Sequence, residues 1–217
     1  MDDTNIRVAD IGCDHGWLSI YLVEQGIASY AYACDVNQGP LDNAKANIKR
    51  FHLQDKIETI LASGLSKLDK GSFDSVVIAG MGGTLIIELL EEDLGKLDDV
   101  TLYLQANVNT YGLRQFLFTH NFEIIDETLV KDNDIIYEII KAKKTSNVIE
   151  NSYSDIEMMF GRINLEKKSY LICELLLQKL EKLSKIIELM PFDLEKRQVL
   201  EKQAEDIKEY LTKNSIK

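Results

Sequence analysis

The sequence predicts an α/β fold: a mostly parallel, doubly wound sheet with one antiparallel strand at its edge, followed by an antiparallel helical coiled coil. Three observations predict it. Short β-rich runs alternate with helical patterns as far as Ala142, the mark of strand-helix-strand crossovers. The last two β-rich runs are separated only by Lys131-Asp132-Asn133, which suggests a hairpin and hence a reversed strand. Beyond Lys143-Lys144-Thr145-Ser146-Asn147, apolar residues step by three and four, the seam of a coiled coil. We therefore divide the chain into a sheet domain over 1–147 and a helical domain over 148–217.

Each element has a local reason. Arg7–Ile11 is a short strand, and the turn Gly12-Cys13-Asp14-His15-Gly16 leads into an amphipathic segment from Trp17 to Gln25 that Gly26 closes. Nine helical residues span about 13–14 Å, close to the length of a strand of about four residues, so the chain can return and start a parallel neighbour. Ser29–Cys34 is that neighbour, ending at Asp35, and Pro40 opens a helix to Arg50 at the favoured first position. Strands over Lys56–Leu61, Phe73–Ala79 and Val100–Gln105 follow, with helices over Thr84–Glu92 and Tyr111–Asn121. Phe122–Leu129 and Asp134–Ala142 form the closing pair. In the tail the seam runs Cys173, Leu176, Leu180, Leu183, Ile187 and Met190, breaks at Pro191-Phe192-Asp193, and resumes at Leu200, Ala204, Ile207 and Leu211. Two antiparallel helices are the simplest consequence.

Composition narrows the function classes. The chain has 217 residues, 45% hydrophobic, enough apolar side chain for a core and too much for disorder. No apolar run approaches the roughly 18 residues of a membrane span, and Met1-Asp2-Asp3 is unlike a signal peptide. Three cysteines, an odd number at unhelpful spacings, suggest neither a disulfide framework nor a metal site; Cys13-x-His15 lacks further ligands at suitable spacing. A soluble, cytoplasmic protein without metal is expected. The formal net charge of −11 lies wholly in residues 1–150, with 13 basic against 24 acidic side chains, while residues 151–217 hold 12 of each. Lys179, Lys182 and Lys185 can gather on one side of a helix, so a polyanion would be met there; the alternative is a solvated, salt-bridged face. A monomer is expected, with the heptads offering a route to a dimer.

In an open α/β sheet the ligand lies beyond the carboxyl ends of the strands, near the switch point. Collected there are Asp10 to Gly16, Asp35 to Asn37, Ala62 to Gly64, Ala79 to Gly83 and Gln105 to Asn109. A dinucleotide site would carry G-x-G-x-x-G with a helix amino end facing the pyrophosphate. Here the spacing is D-x-G-x-D-x-G, and two carboxylates crowd that place. They suit instead a cationic amino-acid moiety, and Asp35, 25 residues after Asp10, suits two ribose hydroxyls. S-adenosylmethionine combines these parts. Its expected contacts are Asp10, Gly12, Asp14, Gly16, Asp35, Val36, Ser63, Gly64, Ala79 and Gly80. The competing reading is that Asp10 and Asp14 only cap the helix.

The strings Val8-Ala9-Asp10-Ile11-Gly12-Cys13-Asp14-His15-Gly16, Ile78-Ala79-Gly80-Met81-Gly82-Gly83, Leu104-Gln105-Ala106-Asn107 and Tyr137-Glu138 resemble those of the bacterial tRNA (adenine(22)-N(1))-methyltransferase family, TrmK. The resemblance covers roughly residues 6–142, with a helical tail of the right kind behind it. It implies a Rossmann-like class I methyltransferase acting on N1 of an adenine in tRNA. The family's helix before the first strand is expected either to be missing or not to have been included in this sequence. Trp17 and Ser19 stand where the family has tyrosine and proline, Ser63 where it has an acid, and Ala106 where it has proline.

Adenine N1 has an in-plane lone pair, so the chemistry asks for orientation, not for a base. Positive charge then moves onto the ring, which a nearby carboxylate favours. Asp14 is the first catalytic candidate, with His15 and Asn107 beside it. Gln105 and Asn107 are expected at the base edge, Met81 and Gly82 beside a flat ring, Trp17 as a stacking surface, and Lys179, Lys182 and Lys185 on the tRNA backbone. Other RNA or small-molecule methylation, a nicotinamide oxidoreductase and a non-catalytic scaffold are the alternatives.

Overall fold

The computed structural model describes residues 5–146, 153–191 and 195–214. The boundary expected between 147 and 148, and the Phe192-Asp193 break, lie outside them. By internal contacts the chain divides into two compact units, Met1–Asp126 with Ile139–Ile149, and Glu127–Glu138 with Glu150–Lys217.

The first unit is built on strands β1 (Arg7–Ile11), β2 (Tyr30–Asp35), β3 (Ile57–Leu61), β4 (Ser75–Met81) and β5 (Thr101–Ala106). These five are mutually parallel where they pair, with β1 between β2 and β4. β6 (Phe122–Asp132) and β7 (Ile135–Lys144) complete a seven-stranded sheet of order β3-β2-β1-β4-β5-β7-β6. The reversed strand is β7, antiparallel to β5 from Thr101↔Lys143 to Gln105↔Ile139, so it lies one place in from the edge and β6 takes the edge. Central strands read as near-continuous apolar runs because both faces are covered: Val8, Ala9 and Ile11 are all buried.

Helices α1 (Trp17–Glu24) and α2 (Gln38–Arg50) pack on the β1–β3 half, and α3 (Gly83–Glu92) and α4 (Thr110–Thr119) pack against each other beyond β4. Two expectations need correction. α2 begins two residues before Pro40, with Asn37 as N-cap. Proline is tolerated at its third position because the first-turn N–H groups have no helical partner. α1 is not amphipathic: Trp17, Leu18 and Tyr21 are exposed while Ser19 is fully buried. The cause is a buried polar partner for Ser19, described with the site.

The second unit holds α5 (Asp155–Phe160), α6 (Arg162–Lys167), α7 (Tyr170–Leu189) and α8 (Glu195–Lys213). The last two are the expected pair, and all of Cys173, Leu176, Leu180, Leu183, Ile187, Leu200, Ala204, Ile207 and Leu211 join one apolar cluster. Met190 leaves the helix as its extended C-cap, where its carbonyl accepts a hydrogen bond from Arg197. α5 and α6 are additional; at six residues each they hold too few turns for a periodicity to show. Gly161, at φ 83°, separates them. Glu127 is fully buried against it, and its carboxylate accepts the Ile163 N–H at 3.0 Å.

A Cβ on Gly161 would overlap the Glu127 carboxylate, whereas one on Gly71, also at positive φ, would meet nothing within 4 Å. Gly161→Ala should therefore cost about 2–4 kcal/mol, and Gly71→Ala about 1, in equilibrium unfolding. Equal losses would mean that backbone conformation alone sets the cost.

Candidate active site

The site begins where β1 runs out. Gly12, at φ 74°, lets the chain turn, and the N–H groups of Gly12 and Cys13 both donate to the Cys34 carbonyl, at 2.8 and 3.0 Å. Gly16, at φ 71°, starts α1. A Cβ there would stand 3.1 Å from the Ala44 methyl, so its smallness serves the approach of α1 to α2.

Asp10 sits beneath this loop, 5% exposed, and its carboxylate accepts the Ser19 hydroxyl at 2.7 Å as well as the Ser19 N–H. It thus satisfies an otherwise unpaired donor in the first turn of α1, which is why that helix buries a serine. Burial pushes the Asp10 carboxyl up to about 6, with the Ser19 bonds opposing the shift. Neither nearby cysteine is a ready thiolate: burial, aided by the Asp10 and Asp35 charges, pushes Cys13 and Cys34 up to about 12.

A cleft of about 500 Å³ opens across the carboxyl ends of β1 to β4. Gly12 and Asp14 line it from the first loop, Asp35 and Val36 from the end of β2, Ser63 and Gly64 from β3, and Ala79, Gly80 and Met81 from β4. Leu85 and Leu89 of α3 give it an apolar wall. Asp35 is buried, and its two oxygens accept one backbone N–H each, from Asn37 at 2.8 Å and from Asp14 at 3.3 Å. Each oxygen keeps a lone pair. Asp14, exposed and at φ 48°, carries its carboxylate 3.5 Å from His15 Nε2.

Other expected site residues lie elsewhere. Asp10, His15, Gly16, Trp17, Gly82, Gln105 and Asn107 are not among the residues lining the cleft. Trp17 packs edge-on against Phe51 with ring centroids 6.0 Å apart, half exposed. Gly82 is the N-cap of α3. The amides of Gln105 and Asn107 are bonded to each other and to the Gly80 backbone. In the second unit, Lys185 pairs with Glu181 at 2.6 Å, while Lys179 and Lys182 form no ion pair among the described residues.

Three contributors were not legible beforehand. Asp93, buried at the end of α3, accepts the Leu65 N–H at 2.9 Å and pairs with Lys96, also at 2.9 Å. Lys96 in turn donates to the Leu65 carbonyl at 2.7 Å, so the two residues fix the loop that presents Ser63 and Gly64. Ser19 is the third. No signal in the local pattern links Asp93 to a loop 28 residues away.

A carboxyl whose folded value lies above its ordinary 3.8 favours the fold most when protonated, and that contribution is lost as pH rises through about 6. Relative to the wild type, Asp10→Asn should gain on the order of 3 kcal/mol between pH about 4 and 7 in urea unfolding. Parallel pH–stability curves for the two proteins would contradict the buried charge.

Comparison with known proteins agrees with this arrangement. The sequence profile of the TrmK tRNA (adenine(22)-N(1))-methyltransferases matches residues 8–215. The tRNA (adenine(22)-N(1))-methyltransferase of Bacillus subtilis is 32% identical over 157 residues, 72% of this chain and 65% of that protein, so the matched segment spans just under two thirds of this relative. A putative tRNA (m1A22) methyltransferase from Streptococcus pneumoniae superposes with a TM-score of 0.89 at 34% identity, covering 95% of this chain and 93% of its own. Its crystal structure in complex with S-adenosyl-L-methionine gives 0.85 at 34% identity, with 95% and 92% covered. With the sheet order, the carboxylate-lined cleft and a profile match across nearly the whole length, the chain belongs to the TrmK family of tRNA (adenine(22)-N(1))-methyltransferases.

Proposed function

We propose that this chain is an S-adenosylmethionine-dependent methyltransferase that methylates N1 of adenine 22 in tRNA. The observation that carries the reading is the cleft at the switch point, which holds Asp14 and Asp35 where a diphosphate binder would present free N–H groups. A nucleoside fits the donor set. The free lone pairs of Asp35 suit two ribose hydroxyls, Val36 and the Leu85–Leu89 wall suit the adenine face, and Ser63 and Gly64 offer polar contact at its edge. Gly12, Ala79 and Gly80 leave room for the methionine portion, and Asp14 complements its charge. Bound there, S-adenosylmethionine would supply an electrophilic methyl group on a sulfonium.

The chain's own residues then need only to orient the acceptor. Adenine N1 is a nucleophile without deprotonation, and correct alignment supplies about 7–11 kcal/mol of barrier lowering. Asp14, at the mouth of the cleft with His15 beside it, is the group that stabilises positive charge developing on the ring. N1 is occupied in a Watson–Crick pair, so the target adenine must be unpaired or extruded, and Trp17 offers an exposed ring to stack on. The excess of acidic side chains lies wholly in residues 1–150. Phosphate contact therefore falls to the 148–217 domain through Lys179, Lys182 and Lys185. No described helix is long and apolar enough to cross a membrane. The protein works as a cytoplasmic monomer in this reading.

Mass spectrometry of nuclease-digested, previously unmodified tRNA, after incubation with protein and S-adenosylmethionine, tests the proposal. One methyl on N1 of adenosine 22 is expected, with kcat lowered on the order of 10²-fold in Asp14→Asn. The triple variant Lys179→Ala/Lys182→Ala/Lys185→Ala should raise KM for tRNA. A methyl at another atom or position, or none, overturns the reading.

A further inference from the structure

β4 carries one residue too many beside the cleft: its pairing with β5 slips between Ala79 and Met81, and Gly80 takes φ 77°. Nothing lies within 4 Å of a Cβ built on Gly80, so the requirement for glycine is conformational and not steric crowding. A bulged residue leaves the ladder with its backbone groups unpaired, and those groups must find other partners.

Side-chain amides of the next strand take both. The Gly80 N–H donates to Gln105 Oε1 at 2.8 Å, and Asn107 Nδ2 donates to the Gly80 carbonyl at 2.8 Å. Gln105 Nε2 then donates to Asn107 Oδ1 at 3.2 Å and closes a ring. The orientation of each amide is dictated, because a backbone N–H can only donate and a carbonyl can only accept. The Asn107 N–H adds a bond to the Met81 carbonyl at 2.8 Å. Immediately after the bulge, Met81 lies over Gly12 so closely that a Cβ on Gly12 would overlap its methyl group. Amide ring, bulge, Met81 and Gly12 therefore form one continuous chain of contacts ending in the cleft.

We propose that Gln105 and Asn107 are positioning residues: their amide ring holds the Gly80 bulge, and through it Met81 over Gly12, in the shape that receives the cofactor. This rests on the cofactor reading above and gives the two amides a task other than contact with the target base. Only a residue that accepts with one atom and donates with the other closes the ring at each position. Glutamate at 105 still accepts from Gly80 but cannot donate to Asn107 when ionised. Once protonated, its O–H can. Methionine at 105 has nearly the same shape and does neither.

The test is calorimetric titration of S-adenosylhomocysteine into wild type, Gln105→Glu, Gln105→Met and Asn107→Asp, with tRNA affinity and thermal midpoint measured in parallel. Kd for S-adenosylhomocysteine should rise about tenfold in each variant, and tRNA affinity should stay within about twofold of wild type. Gln105→Glu, normalised to wild type, should recover affinity as pH falls toward about 5, and Gln105→Met should not. Unchanged nucleoside affinity with weakened tRNA binding would return both residues to base contact and overturn the proposal. A lowered midpoint with no acid recovery in Gln105→Glu would reduce them to fold maintenance and also overturn it. Failure of the wild type to bind S-adenosylhomocysteine would instead sink the cofactor reading on which the ring's task depends.

Discussion

The close approach of the β1 and β4 loops governs the site. β1 and β4 are neighbours in the sheet, but β1 connects onward to β2 on one side and β4 onward to β5 on the other, so the chain leaves the two strand ends in opposite directions. The crevice left between them is shaped by two residues at positive φ, Gly12 and Gly80, and by the Met81 side chain that bridges from one to the other. A side chain on Gly12 would both strain the backbone and displace Met81.

Electrostatics set the chemistry that the crevice can host. Asp10, Asp14 and Asp35 cluster around the first loop, and the charges of Asp10 and Asp35 add to burial in discouraging ionisation of the Cys13 and Cys34 thiols. Keeping Asp10 ionised in a buried place works against folding, a strain tolerated most often at functional positions. Asp10 itself faces Ser19 and holds α1 in register, while Asp14 and Asp35 face the cleft. The acidic motif thus divides between Asp10, which holds the first turn of α1 through Ser19, and Asp14, which lines the cleft.

The sheet was legible because strand-helix alternation and the D-x-G-x-D-x-G turn are local patterns, and β1 spans the expected Arg7–Ile11. The order of the last two strands was not, since a hairpin announces that one strand is reversed but not which of the two meets β5. α1 misled because Trp17, Leu18 and Tyr21 face outward while Ser19 is buried beside Ile20 and Val23. That inversion depends on Asp10, nine residues earlier, and no helical period encodes it. The supports of the cleft were hidden for the same reason. Asp93 reaches Leu65 across 28 residues, and the Gln105–Asn107 ring exists only because β4 bulges at Gly80, a register slip that composition does not reveal.

If the carboxylates of the cleft select its ligand, it binds a sulfonium nucleoside or its thioether product and refuses a pyrophosphate. Calorimetry of the full chain with S-adenosylhomocysteine and, separately, with NAD tests this most directly. Saturable binding of the first at one site per chain is expected, with no measurable heat from the second. Saturable binding of NAD, with or without the other ligand, would contradict it.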